Sequence, residues 1–286
     1  MDFKKRIKKA KTKLLKKLAK AKNHLEDQMY YLDNFIDSCR NIVKLTAKLT
    51  IVISCVLLTS FTAPVFHALY IENRVGSNTL YIRSPEKAKI QGSGTAFEVK
   101  APSGKIYTLT NAHVCALGKD GVIMVQDKLN SGRLLPKRII EVYKENDLCL
   151  VEGLEGYSGL ELANNAEVGD MVWAIGYPLG EGLNISNGRI KEFGKVDVVD
   201  PEMDIKDCTG PEMHVEQYQL LFMDFEVCAI TRQAEETDVP TYPGNSGSPL
   251  VNYYGNIEGV IFASNGDTHW GSSVPLTDVK KFLQPY

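Results

Sequence analysis

From about residue 75 to the end of the chain, hydrophobic residues come in short runs separated by Gly, Asn, Asp and Pro. Runs rich in β-branched and aromatic residues and bounded by turn formers are typical of β-strands, and their even succession predicts an all-β fold and not a βαβ fold. Only the last stretch has helical spacing, with Thr277 as its predicted cap and Val279, Phe282 and Leu283 on its inner face. The predicted strands are residues 79–83, 94–99, 106–110, 122–125, 148–151, 171–175, 220–225 and 257–263.

Residues 1–22 follow a different pattern, in which an apolar residue returns every three or four positions among lysines. This spacing predicts a helix with one apolar stripe, and a basic helix of that kind is typical of helices that lie on an anionic membrane surface. A solvated helix is the alternative, and nucleic-acid binding is not expected because no aromatic residues alternate with the lysines. The stripe consists of Phe3, Ile7, Ala10, Leu14, Leu18 and Ala21. Similar spacing continues to Val43, either as more of the same helix or as a short coiled coil.

Residues 49–70 lie in a stretch that contains no Asp, Glu, Lys or Arg between Lys48 and Glu72. At about 1.5 Å per residue, a helix of this length reaches roughly 33 Å, enough for a hydrocarbon layer of about 30 Å. We therefore predict a retained transmembrane anchor. A buried core helix is the alternative, and a cleaved signal peptide fits less well because a long segment precedes the apolar run. The positive-inside rule then places residues 1–48 in the cytoplasm and the body from residue 71 on the extracytoplasmic side.

Composition is that of a folded body with a separate basic arm. Of 286 residues, 44% are hydrophobic and 24% are charged, which excludes a disordered or collagen-like chain. The formal net charge of −2 hides an asymmetry, because residues 1–22 carry eleven Lys or Arg and one acidic residue, Asp2. These features predict three regions: a basic helical arm at residues 1–48, the anchor at 49–70 and one β domain at 71–286.

The first candidate for catalysis lies in residues 241–250, with the sequence TYPGNSGSPL. Gly244 and Gly247 flank Ser246 closely, and glycine allows a tight turn that exposes the hydroxyl and points successive N–H groups into one hollow. Acyl transfer requires such a nucleophile beside donors for an oxyanion. The G-x-S-G pattern alone is weak, because such tetrapeptides also occur in ordinary loops.

A serine nucleophile needs a base, and His113 is the best placed of the five histidines, because it lies in the short turn after the predicted strand 106–110. The other four fall in the arm, the predicted anchor or polar segments. Asp147 precedes the predicted strand 148–151, where a carboxylate must be paired and could hold an imidazole. Its alternative role is that of a turn residue at the start of the strand. The chain order His, Asp, Ser is the order found in double β-barrel proteases.

Five segments carry a more specific signal when they are taken together. They are GSGTAF (92–97), TLTNAHV (108–114), NDLCLVE (146–152), VGDMVWAIGYPLG with ISNGRI (168–190), and TDVPTYPGNSGSPLVN (237–252). From about residue 90 to its end, the chain resembles the chymotrypsin-fold serine proteases and, more closely, their HtrA-type branch. The resemblance implies two six-stranded antiparallel Greek-key β-barrels, a C-terminal helix and a catalytic cleft between the barrels. The chain ends three residues after Leu283, so no PDZ domain is expected.

Mapped onto this sequence, the resemblance makes His113 the general base, Asp147 the orienting acid and Ser246 the nucleophile. It places the oxyanion hole at Gly244, Asn245 and Ser246, with the N–H groups of residues 244 and 246 as donors. No acidic residue stands at the expected floor of the specificity pocket, which favours a small or medium apolar P1 residue over Lys or Arg. The expected pocket walls are Pro240, Thr241, Ile261, Phe262, Ala263 and Ser264.

Residues 194–236 are longer than the loops of the family at this place, so we predict an insertion there whose purpose stays open. If the predicted topology holds, four of the six cysteines face an oxidising compartment, which allows three pairings. A bond between Cys208 and Cys228 is favoured because both lie in the insertion, whereas Cys115 and Cys149 are expected to be small buried thiols. The usual metal-binding motifs are missing, so no metal or cofactor is predicted.

The sequence therefore predicts a membrane-anchored serine endopeptidase that acts on polypeptides through an acyl-enzyme. One alternative is a catalytically silent binding protein that has a protease fold and is displayed on a membrane. Another is a nucleic-acid tether in which the basic arm is the functional part. The oligomeric state, the physiological substrate and a cellular or viral source stay open.

Overall fold

The computed structural model describes residues 66–86, 91–129, 132–200, 205–210, 212–220, 223–264 and 268–286. The predicted basic arm, residues 1–48, and most of the predicted anchor, residues 49–70, lie outside the described residues. Within those ranges, no helix combines the length and the apolar character that a bilayer crossing requires. The anchor therefore stays a prediction.

The described chain is mostly β-strand. Residues 66–74 form helix α1, and the later helices are α2 (Ala112–Cys115) and α3 (Leu276–Leu283). Helix α3 follows Pro275 and has no side-chain cap, so the predicted cap at Thr277 is wrong. The strands are β1 (Thr79–Arg83), β2 (Ser93–Lys100), β3 (Ile106–Thr110), β4 (Val122–Asp127), β5 (Arg133–Tyr143), β6 (Leu148–Glu152), β7 (Met171–Gly176), β8 (Asn184–Asp200), β9 (Met213–Leu220), β10 (Met223–Pro240), β11 (Pro249–Val251), β12 (Ile257–Ser264) and β13 (Trp270–Pro275).

Strands β1 to β6 close into a barrel in the order β1-β2-β3-β6-β5-β4. The closing pair joins β1 to β4, with Ile82 opposite Val125. Successive residues of a strand face opposite sides, so alternate positions supply the barrel interior. Leu80, Ile82, Ile123 and Val125 are fully buried there. The six-stranded first barrel is as predicted.

The second half of the body forms a sheet in the order β13-β12-β11-β7-β8-β10-β9, and β10 also pairs with β13. That additional pairing, with Glu235 opposite Ser273, connects the two sides of the sheet and turns six of its strands into a second ring. Strand β9 stays outside the ring. Helix α3 packs Val279 and Phe282 into the main hydrophobic core. The fold is therefore two barrels followed by a C-terminal helix.

Two of the places where the strands differ from the sequence prediction have different reasons. Every residue of β5 is partly or fully exposed, so its hydrophobic pattern is weak. The run 220–225 was expected as one strand, but Leu220 ends β9 and Met223 begins β10, and the two residues pair across a hairpin. A continuous apolar run does not reveal such a turn, because both arms of a hairpin are rich in the same residue types.

The outer parts of β8 and β10 continue beyond the second ring as a ladder with β9. We call residues 194–234 the extension; they correspond to most of the predicted insertion. A disulfide joins Cys208 to Cys228, the pair favoured from the sequence. It fastens the segment between β8 and β9 to β10.

Helix α1 packs its inner side against the body. Ile71 and Val75 are fully buried in the main core, and Tyr70 OH donates a hydrogen bond of 3.0 Å to the Tyr254 carbonyl. The His67 ring stacks on the Tyr253 ring, with centroids 3.8 Å apart. A patch of exposed apolar and aromatic side chains surrounds the start of the helix, and we call it the aromatic surface: Phe66, Leu69, Tyr70, Tyr253 and Tyr254.

Three glutamates are buried in the body, and burial raises the pKa of each. Glu98 has a pKa of about 7, although its carboxylate accepts hydrogen bonds from Thr108 Oγ1 (2.7 Å) and the Leu154 N–H (3.1 Å). Burial, followed by repulsion from Glu258 and Asp170, raises the pKa of Glu235 to about 9. Burial likewise raises the pKa of Glu258 to about 7. Glu235 is therefore protonated in the folded protein at neutral pH.

Candidate active site

His113 is placed by a turn that ends the first barrel's most buried strands. Strand β3 ends at Thr110, and the chain then enters the short helix α2 through Asn111. The Asn111 amide is fully buried and donates a hydrogen bond of 3.0 Å to the Asp147 carbonyl. This contact fastens the start of α2 to the segment that carries the candidate acid. The His113 side chain points outward, and 47% of it is exposed.

Asp147 lies in contact with His113, as predicted. Its Oδ2 is 2.7 Å from His113 Nδ1, and its Oδ1 accepts a hydrogen bond of 3.0 Å from the His113 backbone N–H. Asp147 has a left-handed backbone (φ 54°) that closes a turn, with its N–H donating to the Lys144 carbonyl (3.2 Å). Only 1% of its side chain is exposed. Because a carboxylate can only accept, the proton of a neutral His113 must be on Nδ1, which leaves Nε2 as a base.

A disulfide connects the two elements that carry these residues. Cys115, at the end of α2, is bonded to Cys149, in β6. The expectation of two buried thiols at these positions is therefore wrong. The sequence separates the two cysteines, but α2 and the start of β6 meet at one end of the first barrel. Each cysteine follows its catalytic candidate by two residues, so the bond limits how far His113 and Asp147 can move apart.

We expect removal of this disulfide to destabilise the body strongly. Cys115→Ala with Cys149→Ala should lower the free energy of unfolding by about 2 to 5 kcal/mol, because the bond closes a loop of 34 residues in the unfolded chain. Urea unfolding followed by tryptophan fluorescence measures the change. The matched control is Cys208→Ala with Cys228→Ala, whose bond lies in the extension; its loss should be the smaller of the two. An equal or larger loss in the control would contradict this expectation.

The segment of Ser246 is a tight turn held by strand β2 of the other barrel. Thr95 N–H donates to the Ser246 carbonyl (2.8 Å), and Thr95 Oγ1 donates to the Gly244 carbonyl (2.8 Å). Gly247 has φ 86°, and a Cβ at this position would overlap the Thr95 carbonyl oxygen and Thr110 Oγ1. Glycine is required at 247 for both reasons, since only glycine adopts this φ readily and fits against Thr95.

The backbone N–H groups of this turn differ in their hydrogen-bond partners. Among the described residues, the N–H groups of Gly244 and Ser246 donate to no protein acceptor, while the Asn245 N–H donates to the Tyr242 carbonyl (3.0 Å). Asn245 was grouped with the oxyanion hole, for which residues 244 and 246 are the expected donors, and its own backbone N–H is bound within the turn. The arrangement leaves the N–H groups of residues 244 and 246 for an oxyanion.

Ser246 and the helix of His113 adjoin across a single glycine. A Cβ on Gly94 would lie 2.9 Å from Val114 Cγ1 and 3.2 Å from the Ser246 carbonyl oxygen, so both elements pack directly on Gly94. The Ser246 hydroxyl donates a hydrogen bond of 3.4 Å to the Phe262 carbonyl. The hydroxyl thus contacts β12, and among the described residues no hydrogen bond joins it to His113.

The predicted pocket residues are divided between a wall and its rim. Thr241 and Ile261 are buried and meet at Gly271, where a Cβ would lie 3.3 Å from Ile261 Cδ1. Phe262 is buried behind Ser246, whereas Ala263 is half-buried and both Ser264 and Pro240 are exposed. Gly271 was not expected as a pocket residue. Its closeness to the wall arises from the pairing of β12 with β13, which local sequence does not reveal.

Arg232 is a second residue that the sequence did not indicate. It lies on β10 and forms an ion pair with Asp147, with Nη1 3.1 Å from Oδ2. Its Nη2 donates a hydrogen bond of 3.3 Å to the Lys144 carbonyl. Only 11% of the Arg232 side chain is exposed. The second barrel therefore supplies a cation to the candidate acid of the first.

One group of side chains in the described ranges has the spacing of metal ligands. Ligand atoms of Asp197, His214 and Glu216 lie within 4.8 Å of one another, on strands β8 and β9 of the extension. Asp197 and His214 are exposed, and Asp197 already accepts a hydrogen bond from Thr231 Oγ1 (2.6 Å). The group does not include the catalytic candidates.

Comparison with known proteins identifies the family of the chain. Residues 92–260 match the family described as Trypsin-like peptidase domain. The match covers more than half of the chain, and the chain therefore belongs to this family.

The relatives are of the HtrA and DegP kind, which confirms the resemblance seen in the motifs. The chain is 27% identical over 200 residues to the serine protease Do-like HtrA of Bacillus subtilis, covering 68% of this chain and 39% of the relative. It is 24% identical over 203 residues to the periplasmic serine endoprotease DegP of Salmonella typhimurium, covering 68% and 36%. The first curated relatives are covered over 43% and 38% of their length, so the chain spans about two fifths of them.

A solved structure has the same fold. The crystal structure of the Rv3671c protease from M. tuberculosis in its active form matches with a TM-score of 0.56 and 22% sequence identity. The match covers 74% of this chain and 81% of that one.

Proposed function

We propose that the protein is a serine endopeptidase that hydrolyses peptide bonds through an acyl-enzyme, with His113, Asp147 and Ser246 as its triad. The observation that carries the proposal is the 2.7 Å contact between His113 Nδ1 and Asp147 Oδ2, next to the glycine turn in which Ser246 is half-buried. Membership of the trypsin-like peptidases supports it independently. The three side chains come from separate parts of the chain, and the fold brings the elements that carry them together.

In the proposed reaction, Asp147 holds the Nδ1 proton of His113, so Nε2 accepts the proton of the Ser246 hydroxyl. The serine oxygen rotates away from the Phe262 carbonyl and attacks the scissile carbonyl carbon. His113 then passes the proton to the leaving amine. In the second half, His113 takes a proton from a water molecule, which attacks the acyl carbonyl carbon. The acid product is released when His113 returns that proton to the Ser246 oxygen. Asp147 stabilises the imidazolium formed in both halves.

The developing oxyanion is bound by the N–H groups of Gly244 and Ser246. Both lie in a turn whose other polar groups are occupied by Thr95, Tyr242 and Ile261. A donor pair that is fixed before the substrate arrives needs no reorganisation during the reaction, and one such donor contributes roughly 10²- to 10³-fold to the rate.

The proposed substrate is a polypeptide with a small or medium apolar P1 residue. Thr241, Ile261 and Gly271 provide an uncharged wall, which suits an apolar side chain better than a cation. Trp270, the residue before Gly271 on β13, is 42% exposed. The Lys191 ammonium nitrogen lies 5.9 Å from the centroid of its ring.

We also propose that the enzyme is tethered to a membrane through residues 49–70, with the basic arm in the cytoplasm and the body on the other side. The charge-free segment supports this, and so does the aromatic surface at the start of the body. Tyrosines with exposed rings are typical of the membrane–water interface. Two disulfides also agree with an oxidising compartment.

The second candidate is a binding protein that retains the barrels without turnover. The resting contact of the Ser246 hydroxyl with Phe262, instead of with His113, favours this alternative. A third possibility, in which the basic arm tethers nucleic acid, is tested by deleting residues 1–40 and measuring retention on membranes and on DNA.

The enzyme and the silent binder are separated by a fluorophosphonate probe, which labels only an activated serine. We expect the full-length protein to be labelled and Ser246→Ala to lose all labelling, because Ser246 is the proposed nucleophile. Ser248→Ala is the matched control, since this serine is buried two positions away and its Oγ has no hydrogen-bond partner among the described residues. It should be labelled like the wild type. An unlabelled wild type would support the binding protein.

A further inference from the structure

Arg232 contacts the turn that carries the acid of the proposed triad and also a residue beside the nucleophile. Its guanidinium bridges both ends of the turn that carries the acid, with Nη1 on the Asp147 carboxylate (3.1 Å) and Nη2 on the Lys144 carbonyl (3.3 Å). The same group lies over the Phe262 ring, 6.0 Å from its centroid. Phe262 is the residue whose carbonyl binds the Ser246 hydroxyl. The Arg232 side chain thus contacts Asp147 directly, and it also contacts Phe262, the hydrogen-bond partner of Ser246.

The charges of the site explain why a cation is needed here. Asp147 has only 1% of its side chain exposed, and a carboxylate that is removed from water is costly unless a charge or several donors compensate. A neutral His113 provides a donor but no charge. Arg232 provides a permanent charge, and its planar fork can hold two acceptors in one plane.

The geometry also restricts how the carboxylate can turn. Asp147 Oδ2 receives both His113 Nδ1 and Arg232 Nη1, while Oδ1 receives the His113 backbone N–H. All three neighbours are donors on fixed elements, so the carboxylate has one orientation that satisfies them. Without Arg232, one side of Oδ2 would lose its partner and the carboxylate could rotate away from Nδ1.

We propose that Arg232 is a positioning residue of the catalytic site: strand β10 contributes it to hold the Asp147 carboxylate against His113. This inference rests on the proposed function, because it assigns Arg232 a role in the same reaction. It also gives the extension a connection to catalysis, since β10 runs without interruption from Met223 in the extension to Pro240 beside the nucleophile turn.

A double-mutant cycle on the full-length protein tests the inference, with the rate of fluorophosphonate labelling as readout. Arg232→Met, which keeps the length and removes the charge, should slow labelling roughly 10²-fold, the cost of a displaced catalytic group. Arg232→Lys keeps the charge without the fork and should be slowed about tenfold. In an Asp147→Asn background, Arg232→Met should change the rate less than about twofold, because Arg232 acts through the carboxylate.

Arg138→Met is the matched control, because Arg138 also pairs with a carboxylate, Glu152, at 3.1 Å, but at an exposed site. It should label at the wild-type rate. The faster labelling of Arg232→Lys than of Arg232→Met distinguishes positioning from mere stability, because both variants lose the guanidinium fork but only the lysine keeps a charge beside Asp147. Near-UV circular dichroism verifies the fold, and Arg232→Lys carries the test if the uncharged variant does not accumulate as folded protein.

Wild-type rates in Arg232→Met, or equal slowing in the wild-type and Asp147→Asn backgrounds, would overturn the inference while leaving the proposed activity intact. A wild type that is not labelled at all would contradict the proposed activity, and the inference with it. The two failures are therefore distinguishable.

Discussion

Asp147→Asn is expected to lower the rate of acylation by Ser246 about 10⁴-fold while leaving the protein folded. All three polar neighbours of the carboxylate, His113 Nδ1, the His113 N–H and Arg232 Nη1, are donors. An asparagine brings an NH₂ group into this ring of donors. Facing Nδ1, that group forces the imidazole proton onto Nε2, where it blocks acceptance of the serine proton. Labelling kinetics with a fluorophosphonate measure the loss.

The control for this prediction is Asp120→Asn. Asp120 has the same left-handed backbone (φ 54°) as Asp147 but is exposed, so the substitution repeats the chemical change without the histidine contact. It should label at the wild-type rate. A loss smaller than about tenfold in Asp147→Asn would mean that Asp147 does not set the tautomer of His113.

Glu235→Gln is expected to make the folded protein more stable than the wild type at pH 9. The pKa of Glu235 rises from 4.5 to about 9 on folding, chiefly because it is buried. Between these two values the unfolded chain has released its proton and the folded chain has not, so the wild type loses stability as pH rises. The slope is about 1.4 kcal/mol per pH unit, the effect is absent below about pH 4.5, and no further loss occurs above about pH 9.

Glutamine removes this titration and keeps a similar shape, so the difference in unfolding free energy between variant and wild type should grow with pH across that window. Urea unfolding at pH 5, 7 and 9 measures it. Glu181→Gln, at an exposed position, is the control and should give a constant difference. A difference for Glu235→Gln that does not change with pH would show that this carboxyl is not held protonated by the fold.

The catalytic candidates could be found from sequence because each sits in a local pattern with a physical cause. Ser246 lies between glycines that its turn requires, and His113 follows a strand whose residues are buried. The contact of Asp147 with His113 follows from the resemblance more than from its own surroundings. Asn245 lies between the two expected oxyanion donors, and only the structure reveals that its own N–H is bound to Tyr242.

Arg232 and the Cys115–Cys149 bond could not be found in this way. Arg232 lies between two other polar residues of its strand, Thr231 and Gln233, and nothing near it in sequence indicates that its side chain reaches the turn of Asp147. The two cysteines were judged by their local hydrophobic surroundings, which suit a buried thiol and a buried disulfide equally. Both features depend on distances between elements, and the hydrophobic pattern of a strand carries no information on its partners.

The hydrogen bonds of Thr95 have a consequence for how the molecule holds together. This residue of the first barrel binds Ser246 and Gly244 in the second and also receives the Tyr177 N–H. The barrels therefore cannot separate without breaking the hydrogen bonds that hold the nucleophile turn. We therefore expect the proposed activity to be lost when either barrel unfolds, because contacts from both barrels hold the turn of Ser246.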